Sequence, residues 1–256
     1  MTKTCEFCKA QFESNDPRKR FCSKQHADRS RNSHYIQPAP VTWRTIGDLR
    51  HFSKLDPEGK KQVLLGNSNF SVVGFDIEAT HLTANVGRIL CCSFKPLGKP
   101  AYTFSATDYR KKDVYDDSAL ASAIRDELEK YDIIVGWNSR GFDIKYISAR
   151  CLRAGLRIKK QQYHIDGMWA FATKAAAWRG LKSVQNFVLP KEGTKKTSIA
   201  WEQWMRALGW DKALREAAMA EIIDHCEKDV IVLEEVYRVL VQNDVIRALR
   251  VDGGIL

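Results

Sequence analysis

Long apolar runs are missing from this chain. None of its 256 residues falls in a stretch near the roughly 18 consecutive apolar residues that span a bilayer, so a membrane-embedded protein is excluded. Met1-Thr2-Lys3-Thr4-Cys5 continues into polar sequence, unlike a secretory leader. The expectation is a cytoplasmic chain, in a prokaryotic or phage-encoded setting. No internal repeat and no low-complexity tract is present. Walker, G-x-G-x-x-G and G-x-S-x-G patterns are also missing, which removes support for nucleoside-triphosphate and serine-hydrolase chemistry. Acidic residues are the minority, 31 against 41 Lys and Arg, for a net charge of +10. Such a surface attracts polyanions, nucleic acid first; a basic protein with no such ligand is the plainer alternative. Hydrophobic residues at 44% and charged residues at 28% are ordinary for a folded protein and exclude disorder as the main theme. The length fits one large domain with a small appendage.

The seven cysteines are odd in number, which argues against a disulfide framework. Cys91, Cys92, Cys151 and Cys226 stand in apolar or helical surroundings and read as small core residues. Cys5 and Cys8 form a C-x2-C pair, and Cys22 with His26 forms a C-x3-H pair thirteen residues later. Two tight pairs joined by a loop are what tetrahedral zinc requires, and the metal would supply the folding energy of a segment with no core of its own. His34 competes with His26 as fourth ligand. Residues 1–45 hold nine Lys or Arg against four acids, a charge suited to gripping phosphates or a protein partner. The reading is a zinc-binding module over residues 1–34 and a Pro-containing linker over 35–45. A second domain follows over 46–256.

That second domain alternates strand and helix signals. Ser71–Glu78, Arg88–Phe94, Ala101–Ser105 and Asp132–Trp137 read as strands, the first three as a meander. Leu120–Tyr131 and Lys212–Val241 read as helices. Asp76 and Glu78 are two apart on the first strand, so both leave one face. Two carboxylates on a buried face repel each other unless a cation lies between them, and hard oxygen ligands suit Mg²⁺ or Mn²⁺. By itself D-x-E turns up about once by chance in a chain this long, using ordinary composition. Asp143 opens a helix after the fourth strand, where an acid also serves as a helix cap. His225 and Asp229 are four apart on the last helix, and Val232, Leu233 and Val236 share the stripe of Asp229, which turns it inward.

The order of these pieces resembles the DEDD superfamily of 3′–5′ exonucleases, with its ribonuclease H-like fold. Phe75-Asp76-Ile77-Glu78, Gly136-Trp137-Asn138-Ser139-Arg140-Gly141-Phe142-Asp143 and His225-Cys226-Glu227-Lys228-Asp229-Val230 are similar to the three motifs of the proofreading domain of family B DNA polymerases. Ile165-Asp166 and Gly180-Leu181-Lys182-Ser183-Val184 add secondary likenesses, and the resemblance covers about residues 70–242. It implies an α/β mixed sheet flanked by helices and a two-metal hydrolysis of DNA at single-stranded or frayed 3′ ends. RNA exonuclease, structure-selective endonuclease and non-catalytic binding remain the alternatives. Asp76 would bridge two Mg²⁺ or Mn²⁺ ions, Glu78 and Asp229 would hold the one that binds water, and Asp143 the other. His225 would accept the proton of that water. The polymerase-like branch has Tyr at this spacing, so His225 is a departure. No polymerase domain follows, which suggests a freestanding enzyme or one working with a replication or repair protein.

The substrate footprint is read from charge. Lys145–Lys182 carries nine Lys or Arg and one acid. Asn138, Arg150, Arg153, Arg157, Lys182, Lys195 and Lys196 are the expected nucleic-acid contacts, a solvated charged face being the alternative. Arg150, Arg153 and Arg157 are spaced to share one helix face. Trp137, Trp169, Trp178, Trp201 and Trp204 could stack bases.

Overall fold

A computed structural model describes residues 1–6, 9–23, 42, 47–109, 116–157, 163–171, 179–189 and 197–249. The chain divides into two compact units, Met1–Val41 and Thr42–Leu256. Apart from Thr42, the expected linker over 35–45 lies outside the described residues.

The first unit contains a small antiparallel hairpin, β1 (Thr2–Thr4) and β2 (Gln11–Glu13). Its turn is closed by Cys5 N–H donating to Ala10 O at 2.8 Å and Lys9 N–H donating to Cys5 O at 2.9 Å. Glu6 N–H donates to Arg20 O, which lays residue 20 alongside this turn.

Among the described residues of the second unit, the first elements are a 3₁₀ turn, Leu49–Lys54, and α1 (Pro57–Leu64). Pro57 takes the first helical position and Asp56 caps it by accepting from Gly59 N–H. Three strands follow: β3 (Val72–Ala79), β4 (Ile89–Pro96) and β5 (Tyr102–Ser105). Then come α2 (Ser118–Leu128), β6 (Ile133–Gly136), α3 (Asp143–Arg153), β7 (Tyr163–Asp166), α4 (Gly167–Phe171), α5 (Leu181–Val188), α6 (Trp201–Arg206) and the 31-residue α7 (Lys212–Gln242). The sheet order is β5-β4-β3-β6-β7. The first three strands are an antiparallel meander, as expected, and β6 and β7 add parallel to β3.

Period-2 alternation puts Val73, Phe75 and Ile77 on one face of β3. Val73, Phe75 and Ile77 pack with Leu120 and Ile124 of α2 and Ile144 and Ile147 of α3. Leu90 and Cys91 of β4 belong to a second core with Met219, Ile222 and Cys226 of α7. Each large buried side chain contributes roughly 1.5–3 kcal/mol, so α7 is held on the sheet along much of its length. Tyr237 of α7 adds a hydrogen bond to Leu64 O at 2.7 Å.

The helix read as ending at Tyr131 stops at Leu128. The chain must turn there to deliver Asp132 to the start of β6 beside β3, where its carboxylate accepts from Ser71 N–H at 2.9 Å and Ser71 Oγ at 2.8 Å. Among the described residues no helix is long and apolar enough to cross a membrane.

Candidate metal centre

β3 presents Asp76 and Glu78 to α7. Glu78 pairs with Cys91 across the ladder, and a Cβ placed on Gly74, two residues before Asp76, would lie 3.5 Å from Leu233 Cδ2 of α7. The register shifts between Glu78 and Ala79, an irregularity of the kind that re-aims side chains beside sites. One turn of α7 supplies the opposing groups. His225 Nε2 is 3.5 Å from Glu78 Oε1 and 3.8 Å from Asp229 Oδ2. His225 and Asp229 are both buried, so the stripe that turned Asp229 inward in the sequence turns it inward in the fold. Cys226 Sγ donates to Asp76 O at 3.4 Å and lies 3.7 Å from Asp76 Oδ2. Burial, a contact with Cys91 and the charges of Asp76 and Glu78 push the Cys226 thiol well above its ordinary range.

Asp143 arrives from the other side of β3. It is the first residue of α3, and its Oδ1 accepts from Ile77 N–H at 3.1 Å. Burial, then the charge of Asp76, push its carboxyl well above the usual carboxylate range. The turn that delivers Asp143 is pinned by Asp166 at the end of β7. Asp166 accepts from the backbone N–H groups of Asn138 at 3.0 Å, Arg140 at 2.9 Å and Met168 at 3.1 Å. Asn138 takes a left-handed φ of 59°. Gly136 admits the close return of the chain, since a Cβ there would meet Ser139 Oγ at 2.2 Å.

Among the described residues two sets of ligand atoms converge, Glu78 with His225 and Asp229, and Asp76 with Glu78 and Cys226, each set within 4.8 Å. Glu78 belongs to both, and Asp143 joins through Asp76. These donors fit divalent cations: carboxylate oxygens dominate, and a cation would offset the burial and the Asp76 charge that raise the Asp143 carboxyl. Cys226 and Thr197 were not expected here. Cys226 had a usable signal, three residues before Asp229 on the same helix side. Thr197, whose Oγ1 is 2.5 Å from His225 Nδ1, comes from a loop and left no periodic trace.

The expected nucleic-acid contacts divide. Asn138, Arg153, Arg157 and Lys182 are exposed. Lys195 and Lys196 lie outside the described residues, as does Trp178. Arg150 is a correction. It is 2% exposed and its guanidinium binds the Asp117 carboxylate, with Nε 2.8 Å from Oδ2, and donates to Ala84 O at 3.0 Å. Asp117 also accepts from Ile89 N–H. Arg150 thus balances a buried acid and cannot reach a phosphate. The shared arginine face fails for a second reason: α3 ends at Arg153, and Gly155 with φ of 69° turns the chain before Arg157. At 1.5 Å rise per residue, Arg153 stands about 15 Å along α3 from Asp143. Of the tryptophans, Trp169 and Trp201 are more than half exposed, whereas Trp204 packs on α7 with its ring 6.4 Å from that of His225.

In the first unit Cys5 is buried and Cys22 half-buried. Cys8, His26 and His34 lie outside the described residues. Lys9 adopts a left-handed φ of 62° in the hairpin turn, and Arg20 forms an exposed ion pair with Glu6.

The mixed sheet with helices on both faces and a carboxylate centre between its central strand and the last helix defines a ribonuclease H-like fold. A family model described as RNase_H superfamily matches residues 73–241, and the chain belongs to that superfamily. Among solved structures it is similar to the family B DNA polymerase from the hyperthermophilic archaeon Pyrobaculum calidifontis. The identity is 19% over 65% of this chain and the TM-score 0.49. The chain spans 24% of the length of that polymerase. No curated protein matches it.

Proposed function

We propose that this protein is a metal-dependent 3′–5′ exonuclease that hydrolyses phosphodiester bonds of DNA at single-stranded or frayed 3′ ends. The observation that carries the reading is the convergence of Glu78 from β3 with His225 and Asp229 from α7, beside Asp76 and a buried Asp143, in the motif order of DEDD exonucleases. Two divalent cations, Mg²⁺ or Mn²⁺, supply an activated water and stabilisation of the leaving 3′ oxygen in such chemistry. Asp76 would hold both, Glu78 and Asp229 the one that binds the water, and Asp143 the other. Asp166 keeps Asp143 in place through the turn it pins. Asn138, exposed on that turn, and Lys182, exposed at the start of α5, would meet the substrate strand. Trp137 Nε1 donates to Arg179 O at 2.8 Å, tying the chain just before Lys182 to the end of β6.

The test is degradation of 5′-labelled DNA and RNA with Mg²⁺, Mn²⁺ or EDTA. A ladder shortening from the 3′ end of DNA, lost in EDTA, is the expected result. Degradation of RNA alone, internal cuts, or binding without cleavage would each overturn it in favour of another activity on this fold.

The N-terminal unit would act as a zinc-held module that adds DNA affinity. Metal analysis of the intact chain is expected to find about one zinc, bound by Cys5, Cys8, Cys22 and His26 or His34. Removing residues 1–40 should weaken binding to long DNA and flatten its salt dependence, because phosphate contacts are lost. Cleavage of short oligonucleotides should persist. An intact protein free of zinc, or a truncated one with an unchanged salt slope, would remove this role.

A further inference from the structure

His225 stands where the resembled branch carries a tyrosine, and its surroundings ask for more than acceptance of a proton. Its Nδ1 is 2.5 Å from Thr197 Oγ1. Its Nε2 faces the Glu78 and Asp229 carboxylates at 3.5 and 3.8 Å. The ring is buried against Trp204, which limits its freedom to swing away. One ring nitrogen held by a neighbouring oxygen, the other aimed between two carboxylates, is the usual environment of an imidazole metal ligand, whose outer hydrogen bond fixes tautomer and orientation. Donors about 2.0–2.2 Å from a shared ion lie roughly 3.0–3.4 Å apart, so the separations here need only a small contraction.

We propose that His225 Nε2 is itself a ligand of the cation held by Glu78 and Asp229, with Thr197 accepting the Nδ1 proton. The inference rests on the cation site of the proposed function and names its preferred metal. Imidazole is a poor partner for Mg²⁺ and a good one for Mn²⁺ and later transition ions. A site of one imidazole and two carboxylates therefore selects Mn²⁺ over Mg²⁺. A coordinated Nε2 has no lone pair left for the attacking water's proton, so the general-base role expected from the sequence passes from His225 to solvent or a carboxylate.

The experiment uses the full-length protein, with Mn²⁺ itself as the probe. Pulsed electron paramagnetic resonance of bound Mn²⁺ should show coupling to an imidazole ¹⁴N in the wild type. His225→Gln should remove the coupling and cut Mn²⁺ affinity about tenfold or more, while changing Mg²⁺ affinity much less. Thr197→Val should keep the coupling and lower Mn²⁺ affinity by about 10–100-fold, the usual effect of losing an outer hydrogen bond to a ligand. Failure of Mn²⁺ to bind, absence of ¹⁴N coupling in the wild type, or an unchanged Mn²⁺ to Mg²⁺ preference in His225→Gln would overturn the proposal. The wild-type spectrum alone decides it should a variant fail to fold. None of these results needs nucleic acid. Cleavage without nitrogen coupling would leave the nuclease reading intact and return His225 to a base or counter-ion; nitrogen coupling without cleavage would do the reverse.

Discussion

Asp76→Ala is expected to abolish cleavage while DNA binding stays level or tightens. Asp76 sits at the centre of the proposed site: Cys226 Sγ is 3.7 Å from its Oδ2, its charge raises the Asp143 carboxyl, and Glu78 shares its strand face. Losing the carboxylate that would touch both cations removes several kcal/mol of charge stabilisation from the reacting phosphate. At about 1.4 kcal/mol per decade, turnover should fall on the order of 10³-fold or more. Binding should not fall with it, because the change also deletes a negative charge facing the phosphate backbone. The measurement is single-turnover cleavage of a 5′-labelled oligonucleotide beside a binding titration without added metal. Substantial residual turnover would remove Asp76 from the bridging position. Equal loss of binding and turnover would mean that the substitution had damaged the fold.

Arg150→Ala is expected to destabilise the second unit by about 3–5 kcal/mol, the usual result of leaving one member of a buried ion pair uncompensated. Asp117 is 6% exposed and would keep its contact to Ile89 N–H while losing the guanidinium. Ala84 O would lose its donor as well. For a domain of this size each kcal/mol moves the midpoint by about 2–4 °C, so a drop of roughly 10 °C in thermal unfolding is expected, with a matching shift in urea. A pair replacement, Arg150→Met with Asp117→Leu, should recover much of the loss, since it removes both charges together. A phosphate-contact role makes the opposite forecast: unchanged unfolding and a weaker, less salt-dependent affinity for DNA. Unaltered stability in Arg150→Ala would refute the structural assignment.

Much of this protein was legible in its sequence because its signals are local. β3 reads as a strand from its β-branched and aromatic run. Asp76 and Glu78 share a face because strand side chains alternate. His225 and Asp229 share one because a helix turns every 3.6 residues, and the apolar residues beyond Asp229 turn that face inward. These periodicities need no knowledge of what lies opposite, so the sheet meander, the long last helix and the facing pair were all within reach.

Where a residue's role depends on what meets it from far along the chain, periodicity misleads. Arg150 follows the spacing of an exposed basic stripe, yet Asp117, 33 positions earlier, draws it into the core. The spacing records only which residues share a side of one helix; burial depends on α2 packing against that side. Cys226 reads as core, which it is, but only the docking of α7 on β3 brings its sulfur to Asp76, 150 positions away. Thr197 has no pattern at all, and its meeting with His225 exists only once α6 and its preceding loop lie against α7. By itself the sequence determined which side chains could share a face and which segments could bury one. The tertiary structure decided which of those faces became a site, because ligand convergence and charge pairing require groups from separate elements to meet within a few ångströms.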